Sequence, residues 1–273
     1  MFLSGIEQPL VLIRGAGDLA SGIAYRLCQA RFPVVMLEVD KPLVVRRTAS
    51  FATAVFTGKT TVEGLTAYRV NTPEEVDKIL KQNQIPLLID PSALCIEFLK
   101  PQVLVDAIMA KKNLGTLRNH AAMVIGLGPG FEAGADVDAV VETMRGHYLG
   151  RVIWQGSAMP DTGVPGEVGG YTEERLIRAP ENGIWVPLVT IGDRVQKGEV
   201  LATVGETIVP SRISGIVRGL LYPGLEVCKG MKVGDIDPRG EREHCFTISD
   251  KALAVAGGVL EAIIRGLNSG RVV

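Results

Sequence analysis

The feature that most limits what this chain can fold into is a glycine loop between an apolar run and a helical pattern. Residues 9–14 (PLVLIR) stop at Arg14-Gly15-Ala16-Gly17-Asp18-Leu19-Ala20. Beyond the loop Leu19, Ala20, Ile23, Ala24 and Leu27 recur at helical spacing, and residues 33–39 (PVVMLEV) form a second apolar run. Strand, helix and strand in this order make the repeating unit of a parallel sheet. The loop fits G-x-G-x-x-A. Gly15 permits a tight turn, Gly17 lets a pyrophosphate approach the backbone, and Ala20 lets the helix pack closely on the strand. The helix start adds N–H groups and a partial positive charge. Gly15, Ala16, Gly17, Asp18 and Leu19 are therefore candidate ligand-binding residues. Glu38 joins them, because it ends the second run where an acid would bind a ribose hydroxyl. Asp18 counts against a phosphate unless it points away, and a helix-capping role suits it as well.

The alternation continues. Residues 60–70 read as a hairpin around Glu63-Gly64. Thr72-Pro73-Glu74-Glu75 reads as a helix start, with the helix reaching about residue 84. Residues 85–90 and 122–127 are buried-type strands, 101–112 and 137–145 are helices, and 151–155 is a last strand. This pattern predicts a Rossmann-like α/β domain with a mostly parallel sheet over residues 1–158. A second glycine loop, Gly126-Leu127-Gly128-Pro129-Gly130, falls on the same expected sheet edge, so Gly128 and Gly130 are further binding candidates; Pro129 removes one backbone donor there. Asp136, Asp138 and Glu142 form either an acidic site or a cap with solvated neighbours. Arg46 and Arg47 suit either an anionic ligand or solvent. The catalytic candidates are His147, as a base or ligand, and Cys95, as a thiol; neither has a visible partner. Gly58-Lys59-Thr60 is not a P-loop, since Thr53 stands where that pattern needs glycine.

After residue 158 the texture changes. Residues 159–175 are a Gly/Pro-rich linker or loop. A shift of 32 residues then lays Gly183, Ile184, Leu188, Gly192, Val195, Lys197 and Gly198 on Gly215, Ile216, Leu220, Gly224, Val227, Lys229 and Gly230. Two copies of one unit predict a small all-β domain over 176–246. Its G-D-x-V-x-K-G-E-x-L phrase resembles the lipoyl/biotinyl barrel-sandwich fold. The resemblance implies a cofactor lysine on the central hairpin; residues 205–212 (GETIVPSR) have none, so no lipoyl or biotin is expected. Similar barrels cap some zinc carboxypeptidase-like deacylases, but no H-x-x-E zinc motif is present. Residues 247–273 read as a C-terminal helix, capped by Ser249 or Asp250 and packing back on the α/β domain.

Composition narrows the partners. Net charge is −1, which offers no basic surplus to nucleic acid. No run of apolar residues is long enough for a membrane span, and residues 1–8 lack the marks of a signal peptide. Cys28, Cys95, Cys228 and Cys245 show no zinc spacing. A cytoplasmic chain with reduced thiols and no metal centre is the expectation.

Four stretches, RGAGDLASGIAYRL, EVDKPLVVRRTASFATAVFTG, VIGLGPGFEAGADVDAVVETMRGHYLGRV and SGIVRGL with KGMKVGDIDPRG, resemble the YqeB-type proteins of the selenium-dependent molybdenum hydroxylase system over residues 9–265. The resemblance implies an accessory or maturation role for such hydroxylases, similar to that of XdhC-type chaperones. The ligand would be a nucleotide, a dinucleotide or a molybdopterin-type anion. The partners would be that small anion, a client molybdenum hydroxylase and, as an open alternative, a second copy of the chain in a homo-oligomer. Two other readings stay open: an NAD(P)-dependent oxidoreductase acting on a small molecule, and a non-catalytic scaffold with a vestigial Rossmann domain.

Overall fold

A computed structural model describes residues 8–272, so most of the segment read for a signal peptide lies outside them. The chain forms two compact units. The first holds Met1–Pro42, Phe51–Asp161 and Ile248–Val273; the second holds Leu43–Ser50 and Thr162–Thr247.

The first unit is built on a nine-stranded sheet. In chain order its strands are β1 (Val11–Arg14), β2 (Val34–Glu38), β3 (Lys59–Val62), β4 (Leu65–Val70), β5 (Ile85–Ile89), β6 (Val103–Asp106), β7 (Met123–Leu127), β9 (Ala139–Val141) and β10 (Val152–Ile153). The spatial order is β10-β9-β7-β6-β1-β2-β5-β4-β3. All neighbours pair in parallel except the two edge strands, β10 and β3, which run antiparallel to β9 and β4. Between β7 and β9 the short β8 (Glu132–Ala133) pairs with β11 (Gly156–Ser157). β1 is buried along its whole length, as a strand covered on both faces must be. The β3–β4 hairpin turns at Glu63 and Gly64, both at positive φ, which fits a tight two-residue turn.

Two long helices serve this sheet. α1 (Asp18–Gln29) follows β1, and α5 (Asp250–Asn268) closes the chain. Three short helices, α2 (Ala54–Thr57), α3 (Val76–Leu80) and α4 (Ile96–Leu99), lie between them. Ser249 caps α5 by accepting from the Ala252 N–H at 3.2 Å. α1 and α5 touch through Gly22, where an added Cβ would lie 2.7 Å from the Ala252 Cβ.

The Rossmann-like expectation is overturned here. A doubly wound domain needs helices on its crossovers. Only β1–α1–β2 has a full one; the crossovers β6–β7 and β7–β9 have none, and the others have helices of four or five residues. The predicted helix at 101–112 is instead β6 followed by a loop, and the one at 137–145 holds β9. Both strands are entirely buried. An apolar run this short has no period that separates a buried strand from a buried helix. The fold is a mixed α/β arrangement of one large, mostly parallel sheet with separate antiparallel sheets.

The second unit contains two four-stranded antiparallel sheets. Its strands are β12 (Leu176–Arg178), β13 (Gly183–Pro187), β14 (Arg194–Val195), β15 (Val200–Val204), β16 (Thr207–Pro210), β17 (Gly215–Leu220), β18 (Glu226–Val227) and β19 (Lys232–Asp237). The sheet orders are β12-β19-β17-β14 and β16-β15-β13-β18. The 32-residue shift therefore carries β13, β14 and β15 onto β17, β18 and β19. The copies exchange strands: β14 of the first pairs with β17 of the second, and β18 of the second pairs with β13 of the first. Trp185 on β13 is fully buried and its indole N–H donates to the Leu221 carbonyl at 3.2 Å. The segment Leu43–Ser50 belongs to this unit: the Leu220 N–H donates to the Val45 carbonyl at 2.8 Å, and Gly219 leaves room for that carbonyl. A boundary placed only near residue 158 misses this segment. Among the described residues no helix is long and apolar enough to cross a membrane.

Leucine at position 22 has nowhere to go between α1 and α5. Gly22→Leu is expected to destabilise the first unit by about 1–3 kcal/mol, read as a lower urea midpoint by circular dichroism; an unchanged midpoint would show that the helices separate freely.

Candidate functional site

Open parallel sheets present ligand sites beyond the carboxyl ends of their strands. At that edge β1 gives way to the first glycine loop. Gly15 has φ 97°, and a Cβ there would lie 2.9 Å from the Ala107 carbonyl oxygen, so both turn and packing require glycine. Gly17 starts α1 with φ −65° and ψ −175°, and no side chain caps the helix. Its first-turn N–H groups lack intrahelical acceptors, as at every helix start.

Glu38 ends β2 and holds this loop. Its Oε2 accepts from the Ala16 N–H and its Oε1 from the Val39 N–H, both at 2.9 Å. Burial raises the Glu38 pKa, and these two backbone bonds oppose the rise. Both oxygens are thus engaged by the protein's own backbone, which weakens the ribose reading. A separate lock lies at the ends of β1 and β6. Arg14 donates to the Thr116 hydroxyl at 2.5 Å and to the Pro91 and Leu114 carbonyls at 3.0 and 3.2 Å. Thr116 in turn donates to Asp106 at 2.6 Å, and all three residues are buried.

The second glycine loop is filled by protein. A Cβ on Gly128 would lie 2.5 Å from the Thr143 hydroxyl, and one on Gly130 would lie 2.6 Å from the backbone of Lys111 and Lys112. These glycines serve close packing. The three acidic residues of this region are not brought together in one shared set of bonds. Asp136 accepts from the Glu132 N–H, while buried Asp138 accepts from Arg118, Arg271 and the Val124 N–H. Glu142 follows β9; its Oε1 accepts from the Thr143 and Met144 N–H groups and its Oε2 from the Met159 N–H. Among the described residues no group of three or more His, Cys, Asp or Glu could hold a metal ion.

One residue that sequence reasoning missed stands out. Lys251 lies in the first turn of α5, and burial depresses its pKa; Asp18 opposes that shift, Arg145 adds to it, and Glu142 and Asp250 oppose it. Lys251 therefore shares the electrostatic surroundings of Asp18, at the start of α1. Arg145 is fixed beside it by a two-pronged bond to Asp250, at 2.8 and 3.0 Å. A cation in the first turn of a helix has the wrong sign for the helix dipole, and that signal was readable once Ser249 was taken as the cap.

The remaining candidates scatter. His147 is exposed and stacks edge-on against Tyr148. Cys95 is buried, its N–H donates to Asp90, and its thiol is pushed up to about 12 by burial, by a hydrogen bond to Asp90 and by that carboxylate's charge. Such a thiol is a poor nucleophile. Arg46 lies in the second unit, where it donates to the His244 and Thr247 carbonyls at 3.0 Å.

These observations define a mixed α/β protein whose sheet edge carries an uncapped glycine-loop helix near a half-buried lysine, with a repeat-built β unit in the same chain. No protein-family model matches the chain. It is similar to the protein YqeB of Escherichia coli (strain K12), described as uncharacterized, with 51% identity over 261 residues, or 96% of this chain and 48% of that one. The chain thus spans about half the length of the curated relative it matches. Solved structures similar to it include a succinylglutamate desuccinylase/aspartoacylase from Rhodobacter sphaeroides, at 15% identity over 84% of this chain and 85% of that one, TM-score 0.27. Another is the product-bound ectoine utilization protein EutE (DoeB) from Ruegeria pomeroyi, at 12% identity over 84% of this chain and 85% of that one, TM-score 0.25.

Two measurements follow from these surroundings. The folded pKa of Lys251 lies below its ordinary 10.5, so its charged form is penalised in the fold. That penalty is present at neutral pH and vanishes above 10.5, where the lysine is neutral folded or unfolded. Lys251→Met should therefore raise Tm at pH 7, with the gain shrinking towards pH 10.5; a lower Tm at pH 7 would contradict this. Iodoacetamide at pH 8 should label exposed Cys228 in the folded chain and leave Cys28 and Cys95, both pushed up to about 12, unlabelled until denaturant is added. Rapid labelling of Cys95 would restore it as a nucleophile.

Proposed function

We propose that this chain is an accessory protein for selenium-dependent molybdenum hydroxylases that holds a small phosphate-bearing ligand, a nucleotide or a molybdopterin-type anion, at the first glycine loop. The observation that carries this reading is the uncapped start of α1 with Lys251 in its electrostatic neighbourhood. A helix N-terminus favours an anion through its N–H groups and its dipole, and a half-buried ammonium adds a full charge. The cost of burying that ammonium is offset when an anion arrives. The accessory role rests on the resemblance of four long stretches to YqeB-type proteins and on the 51% identity to the Escherichia coli relative. Client and ligand extend beyond what that relative's description says.

The oxidoreductase reading has less support, because both Glu38 oxygens accept from backbone. The test is a thermal-shift screen with ATP, CTP, NAD, NADP and a molybdopterin nucleotide. A ligand at 100 times its Kd stabilises the unit that binds it by about 2.7 kcal/mol. The shift should disappear in Gly17→Trp, a position whose φ of −65° accepts any residue, and weaken in Lys251→Met. No shift with any of these compounds, or one that survives Gly17→Trp, would end the proposal.

A further inference from the structure

The repeat of the second unit makes two of its edge strands equivalent. The 32-residue shift carries β12 onto β16, so that Leu176 falls on Ile208 and Ile177 on Val209. Each strand is the outermost of its sheet. Both line a cleft of about 370 Å³, and the turn between β18 and β19 adds Lys229 to its wall. Sites for small molecules span roughly 300–1,000 Å³.

The floor of this cleft is apolar. Leu176, Ile177 and Val209 reach it from the core, and Ile208, which also lines it, is 56% exposed. An apolar molecule seated there removes this surface from water. The rim is cationic: Arg178, Arg212 and Lys229 line the cleft together with one carboxylate, Glu174. Arg178 is already engaged, donating to Glu173 and to the Gly230 carbonyl, each at 3.1 Å. Glu174 is held by backbone; its own N–H and that of Thr172 lower its pKa, and the charge of Arg212 adds less. Among the described residues, Arg212 and Lys229 have no ion pair and no side-chain hydrogen bond. The apolar walls follow from the repeat, but the arginines do not. The shift lays Arg178 on Pro210 and Pro180 on Arg212, so each copy has an arginine where the other has proline. Packing of the repeat therefore does not require them.

We propose that this cleft binds a small organic anion with a compact apolar body, of the acyl or aromatic carboxylate class. The body lies on Leu176, Ile177, Ile208 and Val209, and the carboxylate meets Arg212 and Lys229 at the rim. A bare inorganic ion would leave the floor uncovered. An added β-strand is disfavoured at β16, where Pro210 offers no N–H. The site lies within the second unit and does not depend on the glycine loop.

The experiment is isothermal titration calorimetry of the full chain with octanoate, acetate and octanol as probes. Octanoate should bind at one site per chain. Acetate lacks the body and octanol lacks the charge, so each should bind at least about tenfold more weakly. Arg212→Met and Lys229→Met replace exposed side chains, and each should weaken octanoate on the order of tenfold. Ile208→Asp, which puts a like charge on the floor, should abolish binding. Leu188→Asp, at an equally open leucine outside the cleft, should leave it unchanged, as should Gly17→Trp. No binding of octanoate would overturn the proposal, as would octanol binding equally well or unchanged affinity in both cation variants. Self-association of the chain that Ile208→Asp abolishes, seen by sedimentation, would assign the cleft to a second copy and overturn it too.

Discussion

The first unit depends on the close crossing of α1 and α5. Gly22 lets Ala252 approach at a distance that any Cβ would block, and Gly258 further along α5 admits the Gly150 carbonyl in the same way. The chain's last helix is thereby fastened to the helix that follows its first strand. This has an electrostatic result as well as a packing one. The first turn of α5 carries Lys251, whose charge interacts with Asp18 in the first turn of α1. A contact made of small residues thus sets the surroundings of the most unusual charge at the sheet's carboxyl edge.

That edge also shows how a glycine-rich pattern divides its work. Gly15 and the Gly128–Gly130 loop are needed because backbone or side chains of the protein occupy the space where a Cβ would be. Gly17 has an ordinary backbone conformation and leaves α1 uncapped. From sequence the glycines look alike, since each permits both close packing and ligand approach. Glu38 behaves similarly: the expected position at the end of β2 is where it stands, but its oxygens hold the loop from behind.

Local chemistry was legible and tertiary demand was not. The turn at Glu63-Gly64, the start of α5 at Ser249 and the helix after the first glycine loop each follow from a few adjacent residues. The repeat was legible because glycine and valine recur at one spacing, and the strands of its two copies follow that spacing. Residues 103–106 and 139–141 were misread because their apolar runs carry no period, and only a sheet that needs strands between β1 and β10 decides their form. Arg46 was expected at an anionic ligand or in solvent, whereas the short segment that carries it belongs to the second unit and is hydrogen-bonded to β17 through the Val45 carbonyl. Lys251 was missed because its importance comes from burial and from neighbours more than a hundred residues away in the chain.

The exchanged strands of the second unit have an evolutionary consequence. Each four-stranded sheet contains strands of both copies, so neither copy owns a complete sheet. A single ancestral copy could have completed its sheets only by pairing with another chain like itself. Fusion in tandem would then have turned an association between molecules into a fold within one. It would also have freed the two halves to differ, as they do where β17 carries Arg218 and the equivalent position on β13 carries Val186.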